Sequence, residues 1–364
     1  MRARPHLVVD VSGHGFGHLA QVAPVLTALR RRLPDLRLTV RSALPAEVVL
    51  GRVPGPAELR PGVPEVGLVM HSGLEVSLDE SARAYAALHA DWPRQVKWAS
   101  ADLRALRPDL VLADVPYLSL AAAAAAGVPA LALCSLNWAD IFDHYLGRAM
   151  PQADRIAQEI RAAYAQATLF VTPRPHMPMP GLARLRAVGP VGAHGRRRRD
   201  ELEGALGLTP PERLALVGLG GVDTPLAAHG WPRVDRVRWL VPASWGLTRG
   251  DVIPMESAKM PFLDLLASSD LLVTKTGYGS FVEAACAGLP VVYVRRPDWP
   301  EEPYLSAWLS AHTRCRAVDA RMIREPGWGE VVAETLGQPR SAPVQPSGNA
   351  EAAGLLADLL HSAG

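Results

Sequence analysis

The first forty residues alternate between short apolar runs and one longer amphipathic segment. Leu7–Val11 predicts a buried strand, Ser12–Gly17 a glycine-rich turn, and His18–Leu33 a helix whose apolar side chains recur with helical spacing. Leu36–Val40 then predicts a second strand. A strand, a helix and a strand in this order predict a parallel sheet, because parallel neighbours need a crossover connection.

The same alternation returns in the middle of the chain. Leu110–Ala113 predicts a strand, Leu118–Ala126 a helix and Ala130–Leu133 the next strand. The uncharged stretch that covers this helix and strand has the apolarity of a membrane span, but Gly127 and Pro129 interrupt it. We therefore expect a buried helix-strand unit of a doubly wound α/β domain.

A second α/β set follows, and the chain closes on an amphipathic helix. Ser347–Ser362 places four leucines on one face, which predicts a helix docked on a core. The strands predicted for the second set are Leu214–Val217, Val237–Val241, Leu271–Thr274 and Val291–Val294.

Glycine, proline and like charge separate the two sets. The segment Gly189–Gly195 is poor core material, and Arg196–Arg199 follows it directly. A solvated hinge is favoured over a nucleic-acid or lipid patch for a run this short. We predict an N-terminal Rossmann-like domain over 1–193, a linker over 194–204, a C-terminal Rossmann-like domain over 205–346 and a final helix over 347–364.

Composition narrows the class of protein. The chain has 364 residues, 49% of them hydrophobic, which is enough apolar material for two cores and excludes a disordered chain. Its net charge of +2 gives no field that would attract nucleic acid. Cys134, Cys286 and Cys315 are too widely spaced for a disulfide framework or a zinc ribbon. We expect a cytoplasmic protein with no metal site, no cofactor and no transmembrane segment.

The first glycine-rich turn carries two histidines. It joins the first strand to the first helix, where backbone N–H groups and the helix dipole favour ligands. Gly13, Gly15 and Gly17 allow close approach of a ligand, and a neutral His14 or His18 can take a proton from a hydroxyl. A solvated turn is the alternative. A dinucleotide site fits poorly, because a histidine replaces its third glycine and no acid ends the second strand.

The second glycine-rich turn follows the strand that ends near Lys275. Its helix is predicted to start near Ser280, so N–H groups and a hydroxyl would meet an anion there. Glu283 lies one turn farther and suits a vicinal diol such as a ribose. The alternative is a capping box, with Ser280 as N-cap and Glu283 as its partner.

Both turns, one per half and in this order, resemble those of the two-domain glycosyltransferases of the GT-B fold. Ser12–His18 and Gly277–Pro290 are similar to the N-terminal loop and the donor motif of the peptidoglycan N-acetylglucosaminyltransferases. Together with Val294–Arg296 and Glu301–Pro303, they are also similar to the glycosyltransferase-like N-terminal half of plant L-arabinokinases. The kinase half has no counterpart in this sequence, so we expect no sugar kinase activity.

The resemblance implies two Rossmann-like domains that face a central cleft, with the acceptor on the N-terminal side and a nucleotide sugar, UDP-linked, on the C-terminal side. It makes His18 the leading candidate for the base and His14 the second. The other groups that it implies are Gly220, Gly221, Lys275, Gly277, Tyr278, Gly279, Ser280 and Glu283 for ribose and diphosphate, Met260 for the nucleobase, Glu301 or Glu302 for the donor sugar, and Gly15, Phe16 and Gly17 for the acceptor.

Three further residues are candidates because of their position after strands. Asp114 ends a strand and is a candidate partner that orients the histidine, although strand-end aspartates also cap helices. Asn137 and Trp138 follow the next strand end and suit sugar hydroxyls and sugar faces, the alternative for Trp138 being a place in the core.

The function expected from these features is an inverting, metal-independent transfer of a sugar to a small-molecule or lipid-linked hydroxyl acceptor. Helix dipoles would replace the divalent cation, which agrees with the lack of an Asp-x-Asp motif. Two alternatives stay open: a nucleotide-sugar hydrolase that uses water as acceptor, and a non-catalytic module that binds sugar nucleotides.

Overall fold

A computed structural model describes residues 4–220, 230–325 and 327–363 of the chain. The chain forms two compact units. Unit 1 comprises Met1–His71, Glu75–Val191 and Pro346–Gly364, and unit 2 comprises Ser72–Leu74 and Gly192–Gln345. The chain thus leaves unit 1 after Val191 and returns to it at Pro346.

Unit 1 is built around parallel strands and the helices that connect them. Its strands are β1 His6–Val11, β2 Arg37–Ser42, β3 Glu58–Arg60, β4 Met70–Ser72, β5 Glu75–Val76, β6 Leu110–Asp114, β7 Ala130–Leu133, β8 Leu169–Pro173 and β9 Leu185–Val188. Its helices are α1 Phe16–Arg32, α2 Ala46–Arg52, α3 Leu78–Leu88, α4 Trp92–Leu106, α5 Tyr117–Ala126, α6 Trp138–Leu146, α7 Ala153–Tyr164 and, from the end of the chain, α13 Gly348–Ala363.

Seven of these strands form one parallel sheet in the order β3-β2-β1-β6-β7-β8-β9, while β4 and β5 pair separately. Alternating residues of β1 are buried on opposite faces, as expected of a central strand. Leu7, Val9 and Val11 pack in a cluster with Leu19 of α1 and Leu356 of α13. The carboxyl ends of β1, β6 and β7 are neighbours at one edge, because Val11 pairs with Asp114 and Ala113 with Ala132.

Unit 2 repeats this architecture with six parallel strands in the order β12-β11-β10-β13-β14-β15. Its elements are α8 Arg199–Leu206, β10 Arg213–Val217, β11 Val237–Val241, β12 Val252–Pro254, α9 Phe262–Ser268, β13 Leu271–Lys275, α10 Tyr278–Cys286, β14 Val291–Val294, α11 Glu302–His312, β15 Cys315–Val318 and α12 Trp328–Leu336, with 3₁₀ turns at Ala243–Trp245, Met255–Ala258 and Met322–Arg324.

The two faces of the second sheet carry separate cores. Leu214 and Leu216 of β10 pack with Phe281 on the face that α10 covers, whereas Ala215 and Val217 pack with the tryptophan-rich cluster on the opposite face. This alternation confirms the doubly wound α/β class predicted for both halves of the chain.

Two sequence expectations need correction. Helix α10 begins at Tyr278, two residues before the predicted start, because Gly277 takes the N-cap position in an extended conformation. The arginine run, expected in a linker, is part of unit 2: Arg196 and Arg197 are exposed, whereas Arg198 bonds Glu201 and Asp264, and Arg199 bonds Glu203 and Asp270.

The apolar stretch of the N-terminal half forms α5 and β7, as predicted. Across the part of the chain that the structure describes, no helix combines the length and the apolarity that crossing a bilayer requires.

Candidate active site

The centre of the candidate site in unit 1 is a histidine-aspartate pair. His18 lies in the first turn of α1, and its Nδ1 is 3.0 Å from Oδ1 of Asp114, the last residue of β6. The His18 side chain is 9% exposed and that of Asp114 is fully buried. Because a carboxylate only accepts hydrogen bonds, Nδ1 carries the proton and Nε2 keeps a lone pair.

The sheet explains why these two residues meet although 96 positions separate them. The pairing of β1 with β6 places the turn after β1 beside the end of β6. His18 follows that turn, so its imidazole reaches the neighbouring strand end. The predicted pairing of Asp114 with a histidine is therefore found in the structure, with His18 rather than His14 as its partner.

A third group at this edge is Cys134, which sequence reasoning did not assign to the site. It follows β7, and its Sγ lies 3.9 Å from Nδ1 of His18. One ligand-type atom each from His18, Asp114 and Cys134 lies within 4.8 Å of the others. The second carboxylate oxygen of Asp114, Oδ2, is buried and has no hydrogen-bond partner among the described residues. The strand order is the signal that identifies Cys134. Strand β7 lies next to β6, and in their pairing Cys134 is level with the residue that follows Asp114.

Burial sets the electrostatics of this cluster. It raises the pKa of the Asp114 carboxyl, although the charge of His18 and the hydrogen bond from its ring oppose that rise. Burial also raises the pKa of Glu65, whose carboxylate accepts a hydrogen bond of 2.7 Å from Nε1 of Trp138. Glu65 lies in an irregular segment whose sequence gives no periodic signal, which is why it was missed.

The segment around Glu65 packs closely on His14. Gly67 has a φ of +56°, and a Cβ there would stand 3.0 Å from Cδ2 of His14 and from Cζ2 of Trp138. The rings of His14 and Trp138 meet edge to face with centroids 5.1 Å apart. Beside them is a cavity of about 280 Å³ whose lining includes Asp10, Gly13, His14, Arg41 and Glu65.

The glycine turn itself opens to solvent. Gly15 is the N-cap of α1 with a φ of +142°, a conformation that favours glycine, and Phe16 is half-buried. A Cβ at Gly17 would meet no atom within 4 Å, whereas one at Gly13 would stand 2.9 Å from Cβ of Ala43. The first turn of α1 therefore has room beside its backbone at Gly17.

Asn137 and Trp138 do not form the expected acceptor wall. The Asn137 side chain caps α6 by accepting a hydrogen bond from the Asp140 backbone, and it is buried. Trp138 is fully buried, in agreement with the core alternative. Asn137 and Trp138 stand at the start of α6, which follows β7 after a short loop. One side chain therefore caps the helix and the other packs in the core.

The second candidate site is the turn between β13 and α10 in unit 2. Helical N–H groups of the first turn lack intrahelical acceptors, and those of Gly279 and Ser280 belong to this turn. The capping box is not formed, because Gly277 rather than Ser280 is the N-cap. Tyr278 and Glu283 are buried, so neither side chain is displayed to solvent for a ribose.

Lys275 stands at the end of β13, beside that turn. Burial, together with the charge of Arg296, lowers the pKa of Lys275 to about 7, and Glu301 opposes the shift. Gly220, with a φ of +83°, lies so close that a Cβ there would be 3.9 Å from Cε of Lys275. The other predicted glycine of that turn, Gly221, lies outside the described residues.

The two acids expected near the donor sugar have different surroundings. Glu302 starts α11, and its carboxylate accepts hydrogen bonds from Oγ1 of Thr276, Nε of Arg295 and the backbone N of Arg296. This buried carboxylate is fully engaged in the fold and is not available to a sugar. Glu301 is also buried, and it accepts a hydrogen bond of 3.3 Å from Nε1 of Trp299.

The predicted nucleobase edge lies after the 3₁₀ turn Met255–Ala258. Lys259 has a φ of +48°, and Met260 is half-buried against the unit 2 core, as is Phe262. The site residues thus fall into two clusters, one at the carboxyl edge of each sheet, which is where ligands bind in open α/β sheets.

Comparison with known proteins gives relatives for both sequence and fold. No profile of a known protein family matches the sequence. An L-arabinokinase from Arabidopsis thaliana is 26% identical over 318 residues, which cover 82% of this chain and 29% of that protein. The chain therefore spans under a third of that relative's length.

Solved structures match over almost the whole chain at low identity. They include a UDP-glucosyltransferase from Polygonum tinctorium (TM-score 0.62, 17% identity, 99% of this chain and 100% of that one) and a glycotransferase of kitacinnamycin (0.60, 18%, 100% and 96%). A putative UDP-N-acetylglucosamine 2-epimerase from Listeria monocytogenes also matches (0.56, 13%, 99% and 95%). These matches establish the glycosyltransferase-type fold of two parallel α/β domains, which confirms the predicted fold class; the reaction has to be argued from the site.

Proposed function

We propose that this protein is a glycosyltransferase that moves a sugar from a nucleoside diphosphate sugar, UDP-linked, to a hydroxyl acceptor. The observation that carries the proposal is the hydrogen bond of 3.0 Å between His18 Nδ1 and Asp114 Oδ1. This bond leaves Nε2 of His18 as the proton acceptor, in the first turn of a helix whose glycine turn opens to solvent.

The proposed chemistry is a single displacement with inversion. Nε2 of His18 takes the proton of the acceptor hydroxyl while the oxygen attacks the anomeric carbon, and the bond from that carbon to the diphosphate breaks. The electron pair of the broken bond leaves with the diphosphate. Asp114 stabilises the imidazolium that forms, because its carboxylate holds the Nδ1 proton.

Unit 2 supplies groups suited to the departing diphosphate. The N–H groups of Gly279 and Ser280 begin a helix, where the dipole favours an anion. Lys275 adds a positive charge when a diphosphate beside it raises its pKa again. These groups support a transfer that needs no divalent cation.

The neighbours support the donor class. Two of the matched structures are those of a UDP-glucosyltransferase and of a glycotransferase. The matched L-arabinokinase is a much longer protein, and its activity is not part of the proposal.

The decisive experiment replaces His18 by alanine and measures turnover and UDP binding together. We expect turnover to fall by about 10²- to 10⁴-fold, the contribution of a general base, with UDP affinity unchanged. His71→Ala, which removes an exposed histidine of unit 1, is the matched control. Normal turnover in His18→Ala overturns the role of His18.

The same assay separates the alternative functions. Release of free sugar from UDP-sugars without an acceptor identifies a hydrolase. Nucleotide binding by calorimetry, without turnover on any donor and acceptor, identifies a non-catalytic binding module.

A further inference from the structure

The cluster of His18, Asp114 and Cys134 combines three groups that coordinate divalent metals. Imidazole nitrogen, thiolate sulfur and carboxylate oxygen are the ligand types of zinc, and sites with three protein ligands keep a fourth position open. We propose that these three side chains form a Zn²⁺ site, and that zinc bound there switches off the base proposed above.

The distances in the metal-free cluster suit a zinc ion. Zinc bonds of about 2.1 Å to nitrogen and oxygen and about 2.3 Å to sulfur are usual. With the Nδ1···Oδ1 distance of 3.0 Å, such bonds give an N–Zn–O angle of about 91°. With the Sγ···Nδ1 distance of 3.9 Å they give an S–Zn–N angle of about 125°. Both angles belong to a distorted tetrahedron.

A second observation also indicates a missing ligand. The Asp114 carboxyl is hydrogen-bonded by the His18 ring and by Cys134, yet its buried Oδ2 has no hydrogen-bond partner among the described residues, and an unsatisfied buried carboxylate oxygen costs free energy. A metal ion bound by this fully buried carboxylate, the neighbouring thiol and the imidazole would satisfy that oxygen. The thiol proton leaves on binding, because the thiolate is the ligand.

The switch follows from the tautomers of imidazole and rests on the proposed function. Without metal, Nδ1 carries the proton and Nε2 has the lone pair that accepts the hydroxyl proton. With zinc on Nδ1, the ring proton moves to Nε2, and that nitrogen no longer accepts a proton. Zinc therefore removes the base without touching the nucleotide-binding turn of unit 2.

The binding half is tested on the whole purified chain with Co²⁺ as a spectroscopic substitute and Zn²⁺ as competitor. We expect one metal per chain, a thiolate-to-cobalt charge-transfer band, and loss of that band on addition of Zn²⁺. Cys134→Ser removes the band and weakens Zn²⁺ binding by about 100-fold or more, whereas Cys286→Ser, a buried cysteine of unit 2, leaves both unchanged.

Asp114→Asn gives an independent variant in case Cys134→Ser folds poorly, and circular dichroism checks the fold of each. Equal Zn²⁺ affinity in the natural sequence and in both variants overturns the site. These readouts need no enzymatic activity, so they stand whether or not the chain transfers sugar.

The proposal that zinc switches off the base is tested by measuring turnover with and without Zn²⁺, and the rate with zinc is compared with the metal-free rate of the same protein. We expect zinc to inhibit the natural sequence at least tenfold, EDTA to restore the rate, and UDP affinity to stay constant. Zinc that binds without changing turnover overturns the switch, while an absence of turnover in metal-free protein overturns the proposed function instead.

Discussion

Arg41 and Asp10 form a buried ion pair beside the candidate site. The Arg41 guanidinium forms two hydrogen bonds of 2.6 Å with Asp10 and one of 2.8 Å with Asp102, and Arg41 and Asp10 are nearly unexposed. A bidentate pair of this kind compensates the desolvation of both ions. Loss of one partner leaves the other charge buried.

We therefore expect Asp10→Asn to lower the free energy of unfolding by about 3–5 kcal/mol. Glu58→Gln is the matched control, because Glu58 pairs with Arg60 at the surface and such pairs contribute about 1 kcal/mol or less. Urea denaturation of both variants measures the difference. Equal losses would show that the Arg41 charge is hydrated in the folded protein.

Lys275 gives a prediction about pH. Its pKa is about 7 in the folded protein, against 10.5 for an ordinary lysine, so between these values the unfolded chain binds more protons than the folded one. The free energy of unfolding should therefore rise with pH over this range. Lys275→Met removes this contribution, and urea denaturation at pH 7, 8 and 9 should give a flatter slope than that of the natural sequence. Parallel slopes would contradict the shifted pKa.

At the residue scale, the sequence indicates only part of the site. The partnership of His18 and Asp114 is predictable, because Asp114 ends one strand of the parallel sheet and His18 follows the turn after the neighbouring strand. Cys134 needs the additional knowledge that β7 is next to β6, and Glu65 comes from a loop whose path only tertiary packing determines. Glu302 shows the opposite error, since its acidic side chain is used by Thr276 and two arginines of the fold.

Among the elements, α13 links the end of the chain to its beginning. It packs on α1, with Leu356 fully buried in the unit 1 core. The sequence predicts that this helix docks but not on which domain, because an apolar face shows only that a helix needs a partner.

Leu356→Ala should destabilise unit 1 by about 2–5 kcal/mol, since it removes a buried leucine and leaves a cavity. Leu355→Ala, one position earlier and only partly buried, is the control and should cost clearly less. Thermal denaturation of the two variants compares them directly. A similar loss in both would argue against the docking of α13 in solution.

Glycine substitutions in the turn before α1 and in the first turn of α1 can distinguish effects on stability from effects on function. Gly17→Ala should keep or raise stability by up to about 1 kcal/mol, because alanine favours the helix and its Cβ meets open space. The same methyl group should lower kcat/KM if the acceptor approaches this backbone. Gly13→Ala is the contrast, since its Cβ would press on Ala43 and reduce stability. Unchanged kcat/KM in Gly17→Ala would remove this turn from the acceptor site.

The boundaries of helices are harder to predict than their presence. The sequence predicts a start of α10 near Ser280, with Ser280 as N-cap in the capping-box alternative, yet Gly277 takes the N-cap position. The arginine run looks like a linker in sequence, but acidic partners from α8, α9 and the following loop pair with Arg198 and Arg199. Long-range partners of this kind are invisible to local composition.

On the scale of the whole molecule, nucleotide binding should increase the stability of the folded protein. A ligand that binds only the folded state stabilises it by about 2.7 kcal/mol at a concentration 100 times its Kd. UDP should therefore raise the melting temperature, and GDP or dTDP should do so less. Lys275→Met should reduce the shift. A melting temperature that no nucleotide changes would contradict the donor class.

The fold class follows from the pattern of the sequence, because most central strands of the two sheets are short, largely apolar runs that alternate with helical segments. The discontinuity of unit 1 does not, since it depends on where Pro346 and the following helix return. Local patterns determine what each segment becomes, whereas the order of strands and the docking of α13 depend on contacts between distant residues.

The return of the chain to unit 1 at Pro346 has a consequence for biosynthesis. The ribosome makes the residues of α13 after those of unit 2, so a nascent chain can finish the second sheet while the first still exposes the leucines that α13 covers. Unit 1 therefore cannot complete its core before α13 has been made, and a chain stalled before α13 should offer that unfinished surface to chaperones.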